Sequence, residues 1–149
     1  MILPDINLLI YAYDTLSPKH QKAKLWWEAC VTGTEPVGLS WVVALGFIRL
    51  WTNPRIFANP MTTDQAATHV ESWLKRKVIR VIQPTPVQGE LLFRFLRETG
   101  SGCNLTTDTH LAALAIEHKA VIHTADTDFL RIEDVRWVNP LGSPVVDRR

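Results

Sequence analysis

Four aspartates stand where an apolar sequence gives them little reason to be. Asp5 lies between the apolar runs Ile2-Leu3-Pro4 and Leu8-Leu9-Ile10, Asp108 opens the segment "DTHLAALAIEH", and Asp126 and Asp128 flank a single Thr in "ADTDF". Each alone has an ordinary explanation: Asp108 is favourable near a helix N-terminus and Asp128 suits a turn. Brought together they repel, and the usual remedies are raised pKa values or a bound hard cation. An all-oxygen donor set without Cys or His favours Mg²⁺ or Mn²⁺ over zinc.

The elements between the acids decide whether they can meet. Ile2 and Leu3 read as a short buried strand, followed by "NLLIYAYD" with Leu8, Leu9, Ala12 and Tyr13 at helical spacing. Ser17 and Pro18 suit the cap and first turn of a helix that buries Ala23, Trp26, Trp27 and Cys30 and ends before Gly33. "PVGLS" reads as a strand, and the apolar helix from Trp41 to Thr52 is stopped by Asn53-Pro54. Thr62 and Gln65 form a capping-box pattern before the helix of Ala66, Ala67, Val70, Trp73 and Leu74. After the strand "VIRVI", Thr85-Pro86 opens a helix with Val87, Leu91, Leu92, Phe95 and Leu96 inward and Gly100 as its stop. Thr107 is the expected cap of "DTHLAALAIEH", which leads into strand "AVIHT", the loop "ADTDF" and a last strand, "RWVNP". Short strands separated by helices imply a parallel sheet covered on both faces, a three-layer α/β/α sandwich with four or five short strands. Ligands of such sheets bind outside the carboxyl ends of the strands, where all four acids fall. Residues 1–149 contain no linker that would divide them, so a single domain is expected.

Composition narrows the field. Sixteen Lys and Arg nearly balance fifteen Asp and Glu, so a net charge of +1 offers a polyanion no general attraction and any nucleic-acid contact must be local. Cys30 and Cys103, far apart and without a second pair, argue against a disulfide framework or a four-ligand zinc site. The longest uncharged segment, Pro36 to Ile48, is shorter than the roughly 18 residues of a membrane span, and the cytoplasm is the expected compartment.

The segments "ILPDINLLIYA", "LGFIRLWTNP", "NLTTDTHLAALAIEH", "HTADTDFLRI" and "RWVNPL", in this order over almost the whole chain, resemble the PIN-domain ribonucleases of the VapC type, the toxin halves of bacterial and archaeal toxin–antitoxin pairs. The resemblance implies Mg²⁺-dependent cleavage of RNA, with Mn²⁺ able to substitute. It also implies a VapB-like antitoxin that covers the groove, and a homodimer. It assigns Asp5, Asp108, Asp126 and Asp128 to the catalytic site. It implies that Asp5, Asp108 and Asp126 are the metal ligands and that Asp128 ligates through water or orients Asp126. A metal held by such carboxylates activates a water for attack on a phosphodiester. Asn7 and Thr124 suit donors to these carboxylates, and equally suit a helix-start cap and a strand-end hydroxyl. Arg49 is the cation expected near bound phosphate. The chain departs from the family at one point. Relatives commonly carry a Glu on the helix after the second strand, whereas "VVALGFIR" places Ala44 there and residues 36–63 contain no Asp or Glu. A catalytically decayed RNA-binding or protein-interaction module is therefore the alternative.

Other features point elsewhere only weakly. Gly100-Ser101-Gly102 lacks the Lys of a phosphate loop, and His110, His118 and His123 show no i, i+4 pair. The Trp residues, at helical spacing, suit core or interface. A phosphoaspartyl phosphatase would need D-x-D on the first strand, where this chain has Asp5-Ile6-Asn7.

Overall fold

Among the described residues every strand is short and every hydrogen-bonded strand pair is parallel, so the crossovers between them are made by helices. The computed structural model describes residues 1–100, 102 and 105–142. In chain order the elements are β1 (Ile2–Pro4), α1 (Ile6–Tyr13), α2 (His20–Thr32), β2 (Val37–Ser40), α3 (Trp41–Trp51), α4 (Thr63–Leu74), β3 (Ile79–Ile82), α5 (Gln88–Thr99), α6 (Leu105–Glu117), β4 (Val121–His123), a 3₁₀ turn (Asp128–Arg131) and β5 (Trp137–Val138). The sheet order is β3-β2-β1-β4-β5, with Ile2 opposite both Val37 and Val121.

The helices form two packed groups. α1 packs on α2 and α3, and α3 on α4, while α5 packs on α6 and α6 on β4. The connections from β1 to β2 to β3 step one way along the sheet and the return from β3 to β4 steps the other way. Because parallel crossovers are right-handed, that reversal puts the two groups on opposite faces. The expected layered α/β architecture is the one observed. The reversal also opens a crevice between the carboxyl ends of β1 and β4, where the chain leaves each strand in a different direction.

Local chemistry explains most element ends. Ser40 accepts from Val42 N (3.2 Å) at the start of α3. Thr62 and Gln65 close the expected capping box in both directions. Gly100 stops α5 in the left-handed conformation (φ 63°) that glycine adopts without cost. Three expectations fail. Ser17 caps a turn rather than a helix: its hydroxyl accepts from Lys19 N, and α2 begins only at His20. Val87 is 50% exposed because α5 starts after it, leaving Phe95 as the residue of that helix seated in the core. α6 starts at Leu105, with Leu105 N donating to Gly102 O, so Thr107 lies in its first turn instead of capping it. Trp41, expected in core or interface, is 45% exposed, and Trp27, Trp51 and Trp73 are buried. The Cys30 thiol is buried and burial pushes its pKa up to about 12, as suits an inert core residue; Cys103 lies outside the described residues.

A cluster of rings anchors α1 to its neighbours. Phe47 meets Trp73 and Tyr13 edge-on (centroids 4.7 and 5.3 Å), Trp73 meets Trp27 the same way (5.4 Å), and Trp73 Nε1 donates to the Tyr13 hydroxyl (2.8 Å). Such pairs add about 0.5–1.5 kcal/mol each to the burial of the rings. Tyr13 ends α1 at this cluster, so the helix is held firmly at the end remote from Asp5.

Candidate active site

α1 begins one residue after β1, and that abrupt change of direction needs a cap. Asp5 supplies it: extended backbone (φ −85°, ψ 155°) and a carboxylate oxygen 2.7 Å from Ile6 N. The other oxygen accepts from Thr124 Oγ1 (2.7 Å) and Asn7 Nδ2 (2.9 Å), so both oxygens are engaged. Asn7 also bridges to β4's end, donating to Thr124 Oγ1 (3.1 Å) and accepting from Ala125 N (3.2 Å). Asn7 and Thr124 thus do donate to a carboxylate, and together they tie the two strand ends across the crevice.

The same network shapes the loop after β4. Asp126 N donates to Thr124 Oγ1 (3.0 Å), and Asp128 N donates to Asp126 Oδ1 (2.9 Å), a side-chain turn that brings Asp128 back beside Asp126. Asp108 arrives from the first turn of α6. Asp108, Asp126 and Asp128 each offer an oxygen within 4.8 Å of the others. All four acids line one groove of about 420 Å³ with Ile6, Asn7, Ile10, Tyr11, Leu50 and Thr107. The tight trio thus includes Asp128, expected as an outer neighbour, while Asp5 faces the same groove with its oxygens already hydrogen-bonded.

Electrostatically the groove is unbalanced. Asp5 is 6% exposed and Asp108 8%, and no ion pair among the described residues involves any of the four acids. Burial, reinforced by the charges of Asp5, Asp126 and Asp128, pushes the Asp108 pKa up to about 7. Burial also raises the Asp5 pKa, opposed by its hydrogen bonds to Thr124 and Ile6. Three carboxylates that close, with no cation paired to them among the described residues, are a donor set that fits a hard, oxygen-seeking divalent ion rather than zinc.

Two other expectations need revision. Ala44 is fully buried in the core, not at the groove. The turn of α3 that reaches the groove carries Leu50, and residues four apart share a helix face, so the position aligned with it is Gly46. A Cβ built at Gly46 would stand 2.6 Å from Ile6 Cδ1. α3 therefore offers the acids no further carboxylate. Arg49 is exposed and is not among the residues lining the groove. The histidines have structural partners: His110 Nδ1 pairs with Gln88 Nε2, His118 Nε2 with Gln83 O, and His123 Nδ1 accepts from Trp26 Nε1, with burial holding the His123 pKa down at about 4. Sequence reasoning missed Ile6, Ile10, Tyr11 and Leu50 as groove residues, since apolar side chains at helical spacing read as core.

Known proteins are similar to this chain along most of its length. The family model described as PIN domain matches residues 2–135. Ribonuclease VapC33 of Mycobacterium tuberculosis is 40% identical over 141 residues, covering 95% of this chain and 99% of that protein. Ribonuclease VapC37 of the same organism is 40% identical over 140 residues, covering 94% of this chain and 97% of its own. Among solved structures, the fold is similar to that of VapC20 from Mycobacterium tuberculosis, described as a Sarcin-Ricin loop cleaving toxin (TM-score 0.67, 19% identity, 91% of this chain and 99% of that one). It is also similar to VapBC2 from Rickettsia felis bound to a promoter DNA fragment (TM-score 0.66, 19% identity, 93% and 98% covered).

Proposed function

Since the chain belongs to the PIN-domain family, and within it to the VapC proteins, we propose that it is a Mg²⁺-dependent endoribonuclease acting as the toxin of a toxin–antitoxin pair. The observation that carries the reading is the convergence of Asp108, Asp126 and Asp128 beside the buried Asp5 with no ion pair to balance them among the described residues. In this reading Asp108, Asp126 and Asp128 hold the metal, with Asp5 contributing the fourth charge of the site. When bound, Mg²⁺, or Mn²⁺ in its place, supplies a water of lowered pKa and offsets charge on the phosphate.

The residues of the chain do the rest. Asn7 and Thr124 fix Asp5, so its charge stays aimed into the groove instead of rotating with solvent. Asp126, held by its bond from Asp128 N, keeps one oxygen engaged in the loop. Hydrolysis joins a water oxygen to phosphorus and breaks the bond to one ester oxygen; a carboxylate accepts the proton that the water gives up, and the leaving oxygen takes a proton from solvent to depart as an alcohol. The partners that accompany this reading are an RNA substrate, a VapB-like antitoxin that covers the acids and a second copy of the chain, all in the cytoplasm with residues 1–149 acting as one PIN domain. No helix among the described residues is long and apolar enough to cross a membrane.

A decayed, non-cleaving module remains the second reading, because the residue that α3 brings to the groove is Leu50, not an acid. One experiment separates the two: purified protein is incubated with structured RNA in Mg²⁺, in Mn²⁺ and in EDTA. The nuclease reading expects cleavage in both metals, none in EDTA and a loss of at least about 100-fold in Asp126→Asn. RNA binding without cleavage in any of the three would establish the other.

A further inference from the structure

Acids are not the whole lining of the groove, which also includes the apolar side chains of Ile6, Ile10 and Tyr11 of α1 and Leu50 of α3. Ile6 and Ile10 lie one turn apart, so α1 carries a continuous apolar stripe that starts immediately after Asp5. Gly46 lets that stripe lie flush against α3, since a Cβ there would stand 2.6 Å from Ile6 Cδ1. At its outer end the stripe changes character. Tyr11 is half-buried, and the ammonium of Lys19 stands 4.8 Å from its ring centroid. Lys19 is exposed and makes no ion pair among the described residues.

Hydrolysis of a phosphodiester requires only that a phosphate reach the acids; it does not require an aliphatic wall ending in an aromatic ring beside a free ammonium. That arrangement suits a ligand with a flat apolar face joined to an anion, which is the chemistry of a nucleotide. The groove volume of about 420 Å³ lies in the ordinary range for small-ligand sites, roughly 300–1,000 Å³. We propose that the wall of Ile10, Tyr11 and Leu50 is a base subsite: the base next to the phosphate at the acids packs on this wall, and Lys19 meets a neighbouring backbone phosphate. The inference rests on the nuclease reading and adds residues that position its substrate. A base must be unstacked to lie on the wall, which would meet its π-face.

The test compares two fluorescein-labelled single-stranded RNAs in Ca²⁺, a hard cation put in place of Mg²⁺ to balance the acids, one RNA complete and one carrying abasic riboses at successive positions, by anisotropy. Tyr11→Ala is expected to weaken binding of the complete strand about tenfold and to leave the abasic strand unchanged, with Tyr11→Phe like wild type. Tyr11→Leu, which keeps bulk without a ring, guards against misfolding and should behave as the alanine variant does. Lys19→Ala should lower the salt dependence on both strands by about 0.7 in the log–log slope, the share of one contact. Equal weakening on the two strands, or no weakening in any Tyr11 variant, overturns the proposal. If wild type cleaves RNA in Mg²⁺ yet binds the two strands equally, the base subsite is wrong and the nuclease reading stands. If it neither cleaves nor binds either strand, both fall.

Discussion

The two ends of α1 face opposite physical problems. At its C-terminal end Tyr13 joins Phe47, Trp73 and Trp27 in a ring cluster whose tyrosine hydroxyl is satisfied by an indole N–H. At its N-terminal end Asp5 is buried beside Asp108, with Asp126 and Asp128 adding charge and no protein cation among the described residues to balance it. One end contributes stability and the other costs it. The difference shows how a short helix serves a charged site: the rings hold the backbone in place, so the carboxylates cannot relax apart.

The comparison is broken most severely from the aromatic end. Phe47 is fully buried at the centre of the cluster, and Phe47→Ala should lower stability by about 3–5 kcal/mol through lost contacts and a cavity. Urea denaturation measures it. A loss below about 1 kcal/mol would mean that the rings are not the anchor.

At the charged end the sign reverses. Asp108 has a folded pKa of about 7 against an ordinary 3.8, so the folded protein binds the proton more tightly than the unfolded chain does. Stability of the metal-free protein then falls as pH rises from about 4 to about 7 through this group and is level above. Asp108→Asn should therefore stabilise the metal-free protein at pH 8, on the order of 2 kcal/mol, and give nothing at pH 4. His123 works the other way, because its pKa is held at about 4: its contribution is present above about 6.5 and is lost as pH falls toward 4. Comparing variant with wild type at each pH cancels the histidine and leaves the aspartate. An Asn variant less stable than wild type at pH 8 would remove the case for charge strain.

How much of this was legible in the sequence follows from the physics of each part. The alternating elements and the capping box of Thr62 and Gln65 are local signals and came through. The gathering of the acids was legible because the carboxyl ends of parallel strands lie on one edge whatever the details of packing. Ser17 and Thr107 misled, since a hydroxyl before a helical pattern can equally serve a turn or sit inside the first turn. The groove wall was invisible: Ile6, Ile10 and Leu50 have the spacing of core residues, and only the approach of α1 to α3 leaves them lining a groove. Ala44 was the wrong residue of α3 for the same reason, because the face turned to the groove depends on helix rotation, which one sequence does not fix.

The contact that sets this rotation gives a smaller effect. Gly46→Ala gains helix propensity, up to about 1 kcal/mol, but drives its Cβ into Ile6 Cδ1. The substitution should destabilise the wild-type background by about 1 kcal/mol and stabilise an Ile6→Val background, which lacks that δ-methyl. The same sign in both backgrounds would show that Ile6 moves aside freely.

The central claim is that the unbalanced acids form a site for a divalent cation, and thermal unfolding with added Mn²⁺ or Mg²⁺ at pH 8 tests it most directly. A cation that binds only the folded protein raises the midpoint with its concentration. The account predicts a rise in wild type, a smaller one at pH 5.5 where Asp108 holds its proton, and none in Asp126→Asn. The same rise in wild type and Asp126→Asn, or no rise in wild type at cation concentrations that support cleavage, would contradict it.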